Sequence, residues 1–76
     1  MKLFILNDNV NSFEHVTKVI QKYLNYPYMQ GCSIASIVHN SGRCLVKESD
    51  DIDLIKQLYK DMVKEGLYLK IESDYE

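Results

Sequence analysis

The strongest constraint on the fold is an apolar stripe in the first third of the chain. Phe13, Val16, Val19, Ile20, Tyr23 and Leu24 recur at helical spacing, which puts them on one face of an α-helix. Asn11 and Ser12 stand before the stripe as candidate N-caps, and Glu14 follows Asn11 in capping-box spacing. Asn25-Tyr26-Pro27 ends it, since proline lacks an amide donor and disfavours helix at the residue before it. So one-sided a helix must cover an apolar surface, and the other residues of a 76-residue chain have to supply it within one core.

Residues 2–6 are rich in Leu, Phe and Ile and read as a short buried strand. The run Asn7-Asp8-Asn9-Val10-Asn11-Ser12 favours turns by bonding to nearby backbone, so the strand ends in a polar loop. A second helix is expected over 28–38, with Gly31, Cys32, Ile34, Ala35, Ile37 and Val38 giving it a small and apolar face. Asn40-Ser41-Gly42 is turn chemistry, and 43–47 reads as a second strand around Cys44-Leu45-Val46. Ser49, Asp50 and Asp51 supply caps and negative charge for a third helix. That helix runs to about residue 65, burying Ile52, Ile55, Leu58, Tyr59, Met62 and Val63, and Gly66 is its expected C′ residue. Residues 67–72 alternate Leu67, Leu69 and Ile71 with Tyr68, Lys70 and Glu72, a strand with one wet face, and 73–76 form a tail. The order βααβαβ implies an α+β fold: one domain over 1–76, with a three-stranded sheet packed against three helices on one face.

Composition excludes several function classes. With 9 Lys and Arg against 11 Asp and Glu, the net charge is −2, leaving no cationic excess for a run of phosphates. No apolar run approaches the ~20 residues of a membrane span or the ~7 to 15 of a secretory h-region, so a cytoplasmic protein is expected. The two cysteines, Cys32 and Cys44, are too few for a disulfide framework and read as reduced, buried or half-buried thiols. A zinc set of Cys32, Cys44, His15 and His39 has no C-x-x-C or H-x-x-x-H pair to bring two ligands together locally.

Chemistry-bearing motifs are equally sparse. The chain has no phosphate-binding glycine loop and no nucleophile elbow. Cys32 and His39 are seven residues apart, about 10 Å along a helix axis, beyond hydrogen-bond reach as nucleophile and base. Neither an enzyme nor a cofactor is expected. The polar loop says more, because Asn7 and Asp8 are acceptors at a strand-to-helix junction and His39 follows the apolar end of the second helix. Taken alone, these residues also fit plain turn chemistry and a capping histidine.

Leu6-Asn7-Asp8-Asn9 ahead of Phe13-Glu14-His15-Val16, then Ile37-Val38-His39 with Gly42 three residues on, resembles the ClpS adaptors of bacterial Clp proteases. The likeness runs without a gap from about residue 3 to 42 and resumes less clearly through the third helix and last strand. It implies a monomeric adaptor that binds N-degrons, proteins with a free N-terminus and a bulky apolar first residue, and hands them to the N-terminal domain of a Clp AAA+ unfoldase. Asn7, Asp8 and His39 match the family's positions for the α-amino group, Asp8 in part through water. Asn11, Val16, Val19 and Val38 match the side-chain pocket. An α-amino group with a pKa of about 8 is mostly cationic at neutral pH, so acceptors and a carboxylate suit it.

The chain departs from the family in four places. Phe13 stands where a methionine gates the pocket, and Ala35 stands where the family often has another methionine, an exchange that can balance in volume. The family's N-terminal extension is not expected, and the segment 46–51 is shorter than the family's and lacks its docking pattern. The competing implication is a diverged ClpS-like interaction domain that does not read N-termini, and a weaker third is a thiol or metal protein. Asp8 is expected to be loop-exposed and unimportant for stability.

Overall fold

A computed structural model describes residues 1–8 and 10–73; Asn9 of the polar loop and residues 74–76 of the expected tail lie outside the described residues. The elements follow the expected order: β1 (Lys2–Leu6), α1 (Phe13–Leu24), α2 (Tyr28–Ser41), β2 (Arg43–Glu48), α3 (Ile52–Lys64) and β3 (Tyr68–Glu72).

The sheet order is β2-β1-β3, so the first strand is the central one, and it pairs antiparallel on both sides. Leu6, at its end, faces Arg43 on one neighbour and Tyr68 on the other. On the β2 side the register slips between Leu3, opposite Lys47, and Phe4, opposite Leu45, which leaves Val46 as the extra residue of a bulge. The Tyr26 hydroxyl, from the α1–α2 turn, donates to the Val46 carbonyl at 2.6 Å and supplies a partner at the irregularity.

Alternation along β1 sorts the sheet faces. Leu3 and Ile5 join Val46 and Leu69 in one core with Val16, Val19 and Ile20 of α1, Ile34, Ala35 and Val38 of α2, and Ile55, Leu58 and Met62 of α3. Phe4 faces the other way, where the Arg43 guanidinium covers its ring at 4.7 Å from the centroid.

The structure chooses between the two candidate caps of α1, and two expectations about the other helices need correction. Ser12, not Asn11, is the N-cap of α1, its hydroxyl accepting from the His15 amide at 3.1 Å, because the Asn11 side chain is engaged in the loop instead. Helix α2 continues to Ser41, since Gly42 at φ 90° donates to the Val38 carbonyl and closes the helix where a glycine tolerates the left-handed conformation. On α3 only Ile55, Leu58 and Met62 are buried, with Tyr59 packed at the margin, while Ile52 and Val63 are exposed; Ile37 of α2 is exposed as well. A sheet of three strands shared by three helices covers only the middle of each apolar stripe.

Helices α1 and α2 meet at Gly31. A Cβ there would stand 3.3 Å from the Thr17 Cγ2 and 3.5 Å from its carbonyl oxygen. Thr17 tolerates this buried position because its hydroxyl donates back to the Phe13 carbonyl at 2.9 Å. Gly31→Ala therefore sets a helix-propensity gain of about 1 kcal/mol against a tight contact and should change stability little. Gly31→Val adds two more carbons to that contact and should cost about 1 to 3 kcal/mol in urea unfolding.

Candidate functional site

The loop that leaves β1 is pinned at three points. The Asn7 amide donates to the Gly42 carbonyl at 2.8 Å, fixing the start of the loop against the end of α2. Asp8 Oδ1 accepts from the amides of Val10 at 2.6 Å and Asn11 at 2.7 Å, which folds the loop over its own carboxylate. Asn11 Nδ2 donates both to Asp8 Oδ2 and to the Gly66 carbonyl, each at 2.8 Å, and so ties the loop to the turn after α3.

Asp8 is therefore half-buried and the organiser of the loop, contrary to the expectation that it stands exposed and without structural work. Partial burial pushes its carboxyl upward, but the Asn11 side chain, the amides of Asn11 and Val10 and the nearby His39 outweigh that push and hold it below its ordinary 3.8.

These ties bring Asn7, Asp8 and His39 to the lining of one shallow concavity, whose walls stand too close together in this structure to admit a water molecule. Asn11, Val16 and Val38 also line it, and Ile5, Leu6 and Leu67 complete an apolar wall. Leu6 opens the Leu6-Asn7-Asp8-Asn9 run, but none of the last three is marked as a wall by its residue type. Their signal is positional, because Ile5 and Leu6 end the strand that feeds the loop and Leu67 directly follows the glycine that Asn11 holds. Among the described residues the Asn7 side chain and the His39 ring make no hydrogen bond. Their donors and acceptors are open at the rim.

The other expected pocket residues lie elsewhere. Val19 and Ala35 belong to the core, Ala35 with 0 % exposure, and neither lines the concavity. Phe13 is 40 % exposed and lines a neighbouring groove with Glu14, Thr17, Lys18, Gln21 and Tyr28. That groove is the larger, about 460 Å³ counted out to solvent, but none of Asn7, Asp8 and His39 lines it.

The loop gathers acceptors and negative charge. Helix α2 ends at Ser41 and α3 ends at Lys64, so the negative ends of two helix dipoles approach the loop through the Gly42 and Gly66 carbonyls. The Asp8 carboxylate adds a full charge between them.

The thiols and the other histidine have separate settings. Cys32 and Cys44 are free and half-buried, and burial pushes the Cys44 thiol up. His15 Nε2 lies 2.6 Å from the Glu65 carbonyl oxygen at the end of α3. The Glu65 side chain accepts from the Tyr23 hydroxyl at 2.9 Å and from Lys22 at 3.4 Å, and these partners hold its carboxyl low. Among the described residues no group of three His, Cys, Asp or Glu side chains is placed to hold a metal ion. Nor is any described helix long and apolar enough to cross a membrane.

Residues 1–66 match the family described as ATP-dependent Clp protease adaptor protein ClpS. The chain belongs to the ClpS family. The matched span contains the loop, both of its helix-end anchors and His39, and stops at Gly66, whose carbonyl accepts from Asn11. A solved structure, that of Agrobacterium tumefaciens ClpS2 bound to L-phenylalaninamide, shares the fold of this ClpS-family chain with a TM-score of 0.78 and 23 % identity. The superposition covers 93 % of this chain and 94 % of that one. Among curated proteins no relative matches.

Because the Asp8 carboxyl is held below its unfolded value, it stabilises the fold above about pH 4, and that contribution is lost as pH falls through the depressed value. Asp8→Ala should lower stability at neutral pH by about 1 to 2 kcal/mol, as for a lost cap, and Asp8→Asn by less because one side-chain acceptor remains. Urea unfolding at pH 7 and at acid pH checks both. The gap between wild type and Asp8→Ala should narrow in acid.

Proposed function

We propose that this ClpS-family chain is an N-degron adaptor that binds a free N-terminal ammonium and presents the attached protein to a Clp ATPase-protease. The observation that carries this reading is the convergence of Asn7, Asp8 and His39 on one concavity whose remaining wall, apart from Asn11, is apolar. An N-terminal residue has a matching division, with a cationic, three-donor ammonium beside an apolar side chain. The Asn7 amide oxygen and a neutral His39 nitrogen accept from the ammonium. Asp8 supplies countercharge, and three of its roughly four acceptor directions are already used, which favours a contact partly through water. On this reading the first side chain packs against Val16, Val38, Ile5 and Leu67, which are closely packed here and have to part to admit it.

The phenylalanine amide in the Agrobacterium ClpS2 structure has this chemistry, a free amine beside an apolar side chain, and supports the same ligand class here. The family supports delivery to the N-terminal domain of a Clp AAA+ unfoldase by a monomeric cytoplasmic adaptor that is not itself an enzyme.

Peptides beginning with Leu, Phe, Tyr or Trp should bind, and their acetylated copies should bind at least about tenfold more weakly. Acetylation removes the charge and two donors, and a charged hydrogen bond contributes about 1.5 to 3 kcal/mol. A fluorescence titration decides it. Equal affinity for free and acetylated peptides would show a ClpS fold that does not read N-termini.

A further inference from the structure

The Phe13 ring stacks on the His39 imidazole, with centroids 6.1 Å apart and planes 29° from parallel. Both residues are exposed, and among the described residues no hydrogen bond fixes the His39 ring. An exposed imidazole on a helix end turns freely about its side-chain torsions, so the stacking contact is what orients it. Phe13 is well placed for this. It opens α1, the Ser12 cap fixes the turn that begins with it, and its carbonyl accepts from the buried Thr17 hydroxyl. A ring stacked toward one face leaves the imidazole edge, which carries both nitrogens, unobstructed by Phe13, and His39 lines the cleft.

We propose that Phe13 is a positioning residue: it holds the His39 ring with its nitrogen edge toward the cleft, and thereby sets the strength of amine recognition more than the choice among first side chains. The proposal rests on the reading of Asn7, Asp8 and His39 as the ammonium site. Its geometric support is independent of that reading, since Phe13 lines the outer groove and not the cleft. A flexible aliphatic or thioether side chain at position 13 fills space but offers no flat face to align a ring. Holding one side chain ready corresponds to about a two- to tenfold gain in affinity.

The test uses Phe13→Leu, which keeps apolar bulk without the ring, and Phe13→Tyr, which restores it. In proton spectra of the free protein, the His39 ring signals should be displaced by the neighbouring ring current in wild type and Phe13→Tyr, and should return toward free-histidine positions in Phe13→Leu. In titrations with peptides beginning Leu, Phe and Trp, Phe13→Leu should weaken all three by one common factor of about two- to tenfold, with Phe13→Tyr restoring them. Unmoved His39 signals would overturn the proposal. So would a changed rank between Leu and Trp without a common loss, which would make residue 13 a selector of side chains. Wild-type affinity in His39→Ala would overturn it together with the use of His39. Failure of the N-terminus reading itself shows differently, as wild-type protein that does not distinguish free from acetylated peptide.

Discussion

The site depends on β1 lying between β2 and β3. Because both partners run antiparallel to it, the end of β1 meets the beginnings of β2 and β3, at Arg43 and Tyr68. Each of those strands is entered directly from a helix, β2 from α2 through Gly42 and β3 from α3 through Glu65 and Gly66. The loop after a central strand must therefore emerge between two helix C-termini. A strand order with β1 at an edge would bring it against only one. The apolar sequence of β1 enforces the central place: Leu3, Phe4 and Ile5 are all buried, Phe4 on the face away from the helices under Arg43.

That placement has an electrostatic consequence. Two helix C-termini and a carboxylate crowd one loop, an arrangement that opposes folding unless cations or donors meet it. The loop's amides meet part of it, with Asn7 on the Gly42 carbonyl, Val10 and Asn11 on Asp8, and the Asn11 side chain on both Asp8 and Gly66. All of these donors are neutral, so negative potential remains at the mouth of the cleft. On the proposed reading an incoming ammonium meets a carboxylate that the loop already holds in place, which lowers the ordering cost of binding. The same bonds make Asp8 a structural residue of the loop, whatever it contributes to the proposed recognition.

Local physics made most of the fold legible in the sequence. Each element falls where apolar periodicity and turn chemistry placed it, and Gly66 at φ 93° follows α3 as a C′ glycine should. The errors came where a tertiary contact competes with a local rule. Asn11 and Ser12 both suit an N-cap, and only the three-dimensional proximity of Gly66 decides that Asn11 is used across the loop. Asp8 carries an ordinary turn signature, and its half-burial follows from closure of the loop around it. Ile5, Leu6 and Leu67 looked like core residues, because no sequence pattern marks the end of a strand as one wall of a cleft.

Positions 13 and 35 show why a change of residue type cannot be read as compensation without geometry. From the sequence, a larger residue at 13 and a smaller one at 35 look like two sides of one pocket. In the structure they belong to different problems. Ala35 lies one helical turn beyond Gly31, and both are buried in α2, which packs directly on α1. Their small size suits a helix packed so closely on its neighbour that a Cβ on Gly31 would stand 3.3 Å from the Thr17 methyl. A longer side chain at 35 would have to fit inside the core before it could shape any ligand contact. Phe13 stands at the surface at the start of α1, where its ring meets His39. Residue 35 thus belongs to the packing of the scaffold, whereas residue 13, on the proposal above, orients the His39 ring.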